Sequence, residues 1–389
     1  MKVCILVQYP LDAGNLLGGV EAAISYVLPD LIKTPGLQFH IVTCIEGLAM
    51  AKSVTRDGLT VTYLPRKRLG RVTFHYREIW AMLSVLREIK PDIVHAHGSG
   101  LYAGAALASK LPAVITIHGI IGEEARLVTD WRHRLRAWLD SQYERSVVRH
   151  AKNLIVISPY VERVFAKLIH GKTYLVENAC DKRFFDVRRE PVKGRLLLAG
   201  MVIPRKGVLP LLQALSLVRQ KLPEAHLRVA GSTQVQPAYA QACEAYVRQA
   251  GLGDAVHFLG QLNQEQLLQE YATCAAFVLP SFQETAPVAL EQAMAAGVPS
   301  VATATGGVPW MIEDGVTGYI IPLPPYPVGD PQTLAEALLR VLSDADAARR
   351  MGRRAAQEAR QRFHPQELAR RTVAVYRDVF EQGRVIKKA

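Results

Sequence analysis

The sequence lacks any long apolar run. Nowhere in its 389 residues does a stretch approach the roughly 18–20 apolar residues that a membrane-spanning helix needs. The apolar run at residues 3–8 is short, and Asp12 and Gly14 follow it closely. We therefore interpret this run as a first buried strand and not as a signal peptide.

Cysteine is scarce, and its spacing fits neither disulfide nor metal chemistry. No set of histidines, cysteines and carboxylates has the spacing of zinc ligands. The cysteines are odd in number and scattered, which indicates reduced thiols and a cytoplasmic location. We predict no metal site and no cofactor. The five are Cys4, Cys44, Cys180, Cys243 and Cys274.

Acidic residues are absent from one basic segment of a chain that is basic overall. The net charge is +12 and the pI is about 9.5, which favours anionic partners. Residues 66–77 ("RKRLGRVTFHYR") contain five Lys or Arg and no acid. Residues 131–150 place apolar side chains near helical spacing with arginines between them. The apolar ones are Trp131, Leu135, Trp138, Leu139 and Tyr143, and the arginines are Arg132, Arg134, Arg136 and Arg145.

Two interpretations of these basic segments are open. A basic amphipathic helix can lie on an anionic membrane surface, which would make the protein peripheral on the inner face of a membrane. Alternatively, 131–150 is an ordinary surface helix whose apolar stripe is core.

Short apolar runs alternate with helical stretches over nearly the whole chain, with no internal repeat. Continuous Val/Ile/Leu runs are typical of strands buried on both faces of a parallel sheet, and the alternation predicts doubly wound α/β units. A polar connector at 181–194 separates two series, so we predict two domains. The first series of strands is 3–8, 38–44, 59–64, 92–97, 113–118 and 153–158, and the second is 195–200, 226–231, 255–260, 275–280 and 299–303.

Several candidate residues follow predicted strands, where α/β sheets bind ligands. Gly18 and Gly19 precede a helix and let backbone approach an anion, although the turn is not the GxGxxG fingerprint. His118 ends a buried strand and is either a substrate contact or a satisfied structural histidine; His95 and His97 are similar but weaker. Arg205 and Lys206 form either a diphosphate clamp or a solvated basic loop.

The segment "SFQETAPVALEQAMAAG" (281–297) predicts a loop that opens a helix. Pro287 suits the first helical turn and Gly297 suits the C-terminal cap. Glu284 then lies on the loop ahead of the helix. Backbone N–H groups around Thr285, Ala286, Pro287 and Val288 would face phosphate oxygens, with Glu284 on sugar hydroxyls.

Taken together, these residues resemble the retaining glycosyltransferases of family 4, which have the GT-B fold. The resemblance runs through "GGVE", "TIHG", "NACD", "PRKG" and "PSFQE" to "AMAAGVPSVATATGGVP" and "EDGVTGYII". It implies two Rossmann-like domains facing across a cleft, with a C-terminal helix that crosses back to the first. The implied domains are 1–181 plus 364–389 on the acceptor side and 182–363 on the nucleotide-sugar side.

The resemblance also implies roles. Gly19 would approach the donor diphosphate or the reaction centre, His118 would line the sugar pocket, Lys206 would bind the diphosphate and Glu284 would hold sugar hydroxyls. Family members usually need no metal, because cations and helix dipoles replace it.

Three positions depart from the family pattern. Met201 stands where an arginine is common, and Trp310 replaces the glutamate of "GGVPE". The second family glutamate, eight positions after Glu284, is Gln292 here. Gln292 can still bond ribose hydroxyls, and the motif register makes Glu291 a neighbour of the site. At 100° per residue, helical phase would make Glu291 the residue that faces Glu284. This argument does not apply, because Glu284 precedes the helix.

The predicted activity is that of a metal-independent retaining hexosyltransferase. It would move a sugar from a nucleotide-sugar, UDP- or GDP-linked, to a hydroxyl acceptor such as a lipid-linked or polysaccharide precursor, by front-face substitution. No nucleic-acid partner is predicted. The alternative is a sugar-nucleotide-binding protein with little or no catalysis, which Met201, Gln292 and Trp310 motivate.

Overall fold

A computed structural model describes residues 1–11, 18–56, 58–66, 75–128 and 130–386. For residues 385 and 386 it describes the backbone only. The chain divides into two compact units. The first unit comprises Met1–Ala179 and Pro365–Ala389, and the second comprises Cys180–His364.

The first unit contains an eight-stranded sheet. Its strands are β1 (Lys2–Leu6), β2 (Gln38–Glu46), β3 (Lys52–Arg56), β4 (Leu59–Arg66), β5 (Ile93–His97), β6 (Ala113–Ile117), β7 (Asn153–Val156) and β8 (Lys172–Leu175). Their order is β3-β4-β2-β1-β5-β6-β7-β8. Every neighbouring pair is parallel except β3 with β4.

Helices cover both faces of this sheet because alternate strand residues point to opposite sides. Val3 and Ile5 of β1 pack in the layer that contains the first and last helices, whereas Cys4 and Leu6 pack against the others. The final helix of the chain therefore belongs to the first unit, as the family resemblance implies. The helices are α1 (Gly19–Ile32), α2 (Tyr76–Ile89), α3 (Leu101–Ala108), α4 (Ile121–Ala125), α5 (Trp131–His150), α6 (Pro159–Phe165) and α13 (Pro365–Ile386).

The second unit contains a six-stranded, fully parallel sheet. Its strands are β9 (Arg195–Ala199), β10 (His226–Ala230), β11 (Val256–Gly260), β12 (Ala276–Leu279), β13 (Ser300–Thr303) and β14 (Gly318–Ile321), in the order β11-β10-β9-β12-β13-β14. Its helices are α7 (Val208–Arg219), α8 (Pro237–Gln249), α9 (Gln264–Thr273), α10 (Val288–Ala295), α11 (Pro331–Ser343) and α12 (Ala345–Arg362). The predicted fold class, two parallel-sheet α/β domains, is confirmed.

Three strands were not predicted from the sequence. All five residues of β3 are exposed, so the strand has no apolar run to reveal it. Strand β8 closes the other edge of the first sheet, and β14 is four residues long. All three lie at an edge of their sheet, where polar and partly exposed residues weaken the apolar signal on which the prediction depends.

One interpretation of the basic helix is wrong. Helix α5 covers 131–150 as predicted, but its apolar stripe is not core, because Trp131, Leu135, Trp138 and Leu139 are each more than half exposed. Only Tyr143 is partly buried. In the described residues, no helix is long and apolar enough to cross a bilayer.

Candidate active site

The order of the second sheet reverses between β9 and β12. Strands β10 and β11 extend from β9 to one side, and β13 and β14 extend from β12 to the other. At such a reversal, the loops after the two central strands diverge and leave a crevice at the carboxyl edge. Residues 200–207 follow β9, and residues 280–287 follow β12. These are the two segments that carry most of the predicted donor-binding residues.

Lys206 and Glu284 meet at this point. The Nζ of Lys206 lies 2.5 Å from Oε1 of Glu284, and a guanidinium nitrogen of Arg205 lies 3.8 Å from Oε2. The Glu284 side chain is buried, and both cations are largely buried. The structure thus brings together three residues predicted separately, and the basic loop is not simply solvated.

The charge of Glu284 follows from these neighbours. Burial alone would raise the pKa of its carboxyl, but the charges of Lys206 and Arg205, with a hydrogen bond from Lys206, hold the pKa below its usual value. Glu284 is therefore ionised at neutral pH. An ionised carboxylate accepts hydrogen bonds and does not donate them, which suits a group that holds hydroxyls.

Backbone contacts brace the Glu284 loop from both sides. The Arg205 guanidinium donates to the carbonyl of Gln283 at 2.9 Å, and the Phe282 N–H donates to the carbonyl of Arg205 at 2.8 Å. From beyond β13, the Thr305 hydroxyl donates to the Phe282 carbonyl at 2.9 Å. The Gly307 N–H donates to the carbonyl of Glu284 itself at 3.2 Å. The "TATGG" segment (303–307), to which the sequence assigned no role beyond the family motif, therefore supports the Glu284 loop.

Helix α10 begins one residue later than predicted. Pro287 is its N-cap and Val288 its first residue, while Gly297 lies just beyond the C-cap with φ +68°. Pro287 has no N–H, so the predicted amide donors reduce to those of neighbouring residues. Thr285 and Pro287 are buried, and Ala286 and Val288 are partly exposed.

Gln292 and Glu291 occupy different surroundings on α10. The Gln292 carbonyl oxygen accepts a hydrogen bond from the hydroxyl of Tyr271 at 3.4 Å. Glu291 is fully buried and lies near Cys180. The pKa of the Cys180 thiol is raised first by the burial of that thiol and second by the charge of Glu291. The ribose role of Gln292 stays a prediction.

We expect Gln292→Ala to weaken nucleoside diphosphate binding more than Glu291→Ala does, by about 1–2 kcal/mol for two lost neutral hydrogen bonds. Titration calorimetry on folded protein measures the affinities. Unfolding midpoints serve as the control, because Glu291→Ala should lower stability. A larger affinity loss in Glu291→Ala would show that the motif register is wrong.

The two other departures from the family pattern lie at the surface of the second unit. Met201 follows β9 directly and is 39% exposed, while Trp310 is 38% exposed. Arg205 lies four residues beyond Met201 on the same loop, and its guanidinium points to the Glu284 loop. Nothing in the structure explains why Trp310 is a tryptophan.

His118 lies in the first unit, at the end of a chain of buried polar groups. Its Nε2 lies 2.9 Å from Nδ1 of His97, and its Nδ1 lies 3.2 Å from Oδ1 of Asn178. His95 has no hydrogen bond to His97 or His118 among the described contacts; its ring nitrogens bond to the hydroxyls of Tyr376 and Thr116 at 2.7 Å each. Asn178 belongs to the "NACD" motif, but the sequence assigned it no role.

The acceptor Asn178 determines the tautomer of this chain. An amide oxygen accepts only, so Nδ1 of His118 carries the proton and its Nε2 accepts from His97. Burial lowers the pKa of His118 to about 4, so it is neutral at neutral pH. Both ring nitrogens are engaged, and a sugar hydroxyl can bond to His118 only by replacing His97 or Asn178.

The glycine loop of the first unit is only partly described. Gly18 is the N-cap of α1, and Gly19 is the first residue of that helix. Residues 12–17, which precede them, lie outside the described residues. The Ala22 N–H donates to the Gly18 carbonyl at 3.0 Å, so these glycines begin a regular helix after β1, as predicted.

Within the part of the chain that the structure describes, no group of three or more histidines, cysteines and carboxylates could hold a metal ion. All five cysteines are free and buried, and burial raises the pKa of Cys4 and Cys274 to about 12.

Comparison with known families agrees with this geometry. The family described as "Glycosyltransferase Family 4" matches residues 17–184, and the family described as "Glycosyl transferases group 1" matches residues 181–358. A glycogen synthase of Mycobacterium tuberculosis is 31% identical over 310 residues, which cover 75% of this chain and 69% of that protein. The chain belongs to glycosyltransferase family 4.

Other relatives of this glycosyltransferase agree. The uncharacterized glycosyltransferase YqgM of Bacillus subtilis is 25% identical over 299 residues, covering 76% of this chain and 80% of the relative. Among solved structures, the sucrose-phosphate synthase of Thermosynechococcus elongatus superposes with a TM-score of 0.81 at 20% identity, covering 98% and 99% of the two chains. Anabaena HepE superposes with a TM-score of 0.73 at 20% identity, covering 97% and 99%. These likenesses confirm the GT-B fold.

Proposed function

We propose that this glycosyltransferase transfers a hexosyl unit from a nucleotide-sugar to a hydroxyl acceptor, with retention at the anomeric carbon. The observation that carries the proposal is the buried cluster of Lys206, Arg205 and Glu284 at the point where the second sheet reverses its strand order. Cations and a carboxylate held side by side match a ligand that has a diphosphate next to a hydroxylated sugar.

Each member of the cluster has a part in the proposed reaction. Lys206 and Arg205 bind the diphosphate and stabilise the charge that develops as it leaves. Glu284 accepts hydrogen bonds from donor-sugar hydroxyls, Gln292 bonds the ribose, and amides at the start of α10 bond phosphate oxygens. His118 and the Gly18–Gly19 turn contribute from the first unit, as the family resemblance implies.

Bond changes in this proposal balance without a cofactor. The bond between the anomeric carbon and the phosphate oxygen breaks, and the acceptor oxygen bonds to the same face of the sugar. The acceptor proton passes to the leaving phosphate. Glu284 is a poor candidate for covalent capture, because Lys206 engages its Oε1 at 2.5 Å and the Arg205 guanidinium faces its Oε2 at 3.8 Å.

The donor is a UDP- or GDP-sugar in this proposal. HepE has been solved in complexes with UDP, with UDP and glucose, and with UDP-glucose, so UDP-sugars are the first to test. Metal independence also belongs to the proposal, because the charges of Lys206 and Arg205 would neutralise the diphosphate in place of a divalent cation.

The test is nucleotide release from a panel of UDP-, GDP- and ADP-sugars, with lipid and sugar hydroxyl acceptors and with or without EDTA. We expect turnover of one donor class, unaffected by EDTA, and NMR of the product should show the donor's anomeric configuration. Tight donor binding without turnover on any acceptor would assign the chain as a sugar-nucleotide-binding protein instead.

A second proposal concerns the exposed half of α5. Residues 131–136 are all exposed, and the apolar stripe on this half points away from the face that carries Ser141 and Glu144. Arg132, Arg134 and Arg136 project beside the stripe. We propose that this half of α5 lies on an anionic bilayer, because tryptophans suit the interface and arginines suit its charge.

Part of the other basic segment belongs to helix α2, which lies near α5. A side chain at Gly104 of α3 would lie 2.1 Å from the Tyr143 hydroxyl of α5 and 3.3 Å from Ile79 of α2. Helices α2 and α5 therefore flank α3 together, and α2 exposes Tyr76 and Trp80. Residues 67–74, most of the segment predicted at 66–77, lie outside the described residues.

We expect flotation with anionic vesicles at low salt, which would place the enzyme at the inner face of a membrane. Replacing Arg132, Arg134 and Arg136 by Gln should lower vesicle affinity about 100-fold, at about 1 kcal/mol per charge. The matched control replaces Arg350, Arg353 and Arg354, exposed on α12, and should leave affinity nearly unchanged. Equal losses of vesicle affinity in both variants would mean that binding depends only on net charge. If the wild type does not bind vesicles, the exposed half of α5 is not a membrane-binding surface.

A further inference from the structure

One carboxylate inside the basic helix α5 is directed inward. Glu144 is 1% exposed and accepts three hydrogen bonds. The Ser99 hydroxyl donates to its Oε1 at 2.9 Å and the Ile121 N–H donates to the same oxygen at 3.2 Å. The Gly122 N–H donates to its Oε2 at 3.3 Å. No sequence pattern indicates this burial, because Glu144 lies among arginines in a helix whose other half is exposed.

The three donors lie on two different loops. Ser99 is two residues after His97, in the loop that follows β5. Ile121 and Gly122 are the first residues of α4, three and four residues after His118, in the segment that follows β6. The Glu144 carboxylate therefore ties together the two segments whose histidines are themselves bonded at 2.9 Å.

The chemistry of the contact favours a carboxylate over any neutral side chain. Burial raises the pKa of Glu144, and the hydrogen bonds from Ile121, Ser99 and Gly122 oppose that shift. An ionised carboxylate accepts at both oxygens, whereas a glutamine would turn an N–H towards one of the donors. Charge-assisted hydrogen bonds of this kind are about twice as strong as neutral ones.

We propose that Glu144 is a positioning residue for the donor sugar: its carboxylate holds the β5 and β6 loops so that the His97–His118 pair keeps its place in the wall of the sugar pocket. This inference rests on the proposed glycosyl transfer. Glu144 does not touch substrate. It acts through Ser99, Ile121 and Gly122, and its effect should be confined to the sugar side of the donor because Lys206 and Arg205, the proposed diphosphate contacts, belong to the second unit.

The test compares Glu144→Gln, Glu144→Ala and Ser99→Ala with wild type. Asp140→Asn is the matched control, since Asp140 is one turn away on α5 and exposed. Hydrogen exchange of peptides covering 118–125 reports the loop, and we expect exchange about tenfold faster in Glu144→Ala, less in Glu144→Gln, and unchanged in the control.

Function is measured as two affinities and a rate. The ratio of nucleotide-sugar affinity to free nucleotide affinity should fall in the Glu144 variants, while free nucleotide affinity stays within about twofold. Transfer should fall about 10- to 100-fold, as for a small misplacement of a substrate contact. Ser99→Ala removes one hydrogen-bond donor to Glu144 and should lower transfer and the affinity ratio by less. This variant still tests the inference if Glu144→Ala does not fold.

The outcomes separate this inference from the proposed function. Faster exchange with an unchanged affinity ratio and unchanged transfer would reduce Glu144 to a structural residue and overturn its positioning role. Loss of free nucleotide affinity along with sugar affinity would also overturn it. A wild type that binds no nucleotide-sugar at all would overturn the proposed function itself, whatever the exchange shows.

Discussion

Glu284→Gln is expected to lower transfer at least about 100-fold while leaving nucleoside diphosphate affinity unchanged or tighter. Loss of the carboxylate removes the acceptor for sugar hydroxyls, and losing one charged contact of this type costs about 10²–10³-fold in rate. The variant also frees Lys206, whose ammonium now bonds Glu284 at 2.5 Å. A free, largely buried ammonium attracts a diphosphate more strongly, so binding and transfer should change in opposite directions.

Stability gives an independent readout of the same change. Removing one partner of a buried ion pair leaves the other uncompensated and costs about 3–5 kcal/mol; partial exposure of Lys206 and Arg205 places this site at or below the low end of that range. Added nucleotide should restore part of the loss, because it binds only the folded protein. Urea unfolding with and without UDP or GDP measures both effects.

The matched control is Glu270→Gln. Glu270 is also a nearly buried carboxylate of the second unit, bonded through both oxygens to the guanidinium of Arg228, but it lies on α9 and outside the loops of the site. It should lose stability and keep transfer. Wild-type turnover in Glu284→Gln, or equal losses of transfer in the two variants, would contradict the assigned role of Glu284.

Gly207→Ala is expected to destabilise the second unit by about 2–5 kcal/mol and to weaken nucleotide binding. Gly207 has φ +66°, and a methyl group there would lie 2.1 Å from the carbonyl oxygen of Pro280. The left-handed backbone costs about 1–2 kcal/mol for a residue with a Cβ, and relief of the overlap adds about 1–3 kcal/mol. Relief must separate the Lys206 loop from the Glu284 loop, which is why binding should suffer as well.

Gly251→Ala isolates the backbone contribution. Gly251 has the same φ of +66°, but nothing lies within 4 Å of the position its Cβ would take. It should therefore cost only the backbone strain and leave nucleotide affinity unchanged. Denaturant unfolding followed by circular dichroism, together with calorimetric titration, measures the difference. Equal effects of the two substitutions would mean that the approach of Gly207 to Pro280 does not hold the site.

Local sequence was enough for the strands that are buried on both faces. Their apolar runs are continuous because both sides of a parallel sheet are covered by helices, and every predicted run corresponds to a strand with ends that differ by a residue or two. The edge strands β3 and β8 were missed because an edge is partly solvated, so polar residues such as those of Lys52–Arg56 are tolerated there.

The candidate site divides in a similar way. Motif spacing pointed to Glu284, Lys206 and His118 from residue type and place alone, and these assignments remain predictions. Their partners could not be found in this way. Lys206 and Glu284 are 78 positions apart, and only the order of the strands, with β9 beside β12, makes them neighbours.

The family and the α/β class therefore followed from local sequence, because they depend on periodicity and on ordered motifs, whereas the donor-site residues named from the same motifs remain predictions. Tertiary structure alone decided the environment of each group. It paired Glu284 with two cations, occupied both nitrogens of His118, exposed the apolar stripe of α5 and turned Glu144 inward. The physical reason is that charge state, hydrogen bonding and exposure depend on neighbours distant in the chain, which the sheet order and helix packing bring together.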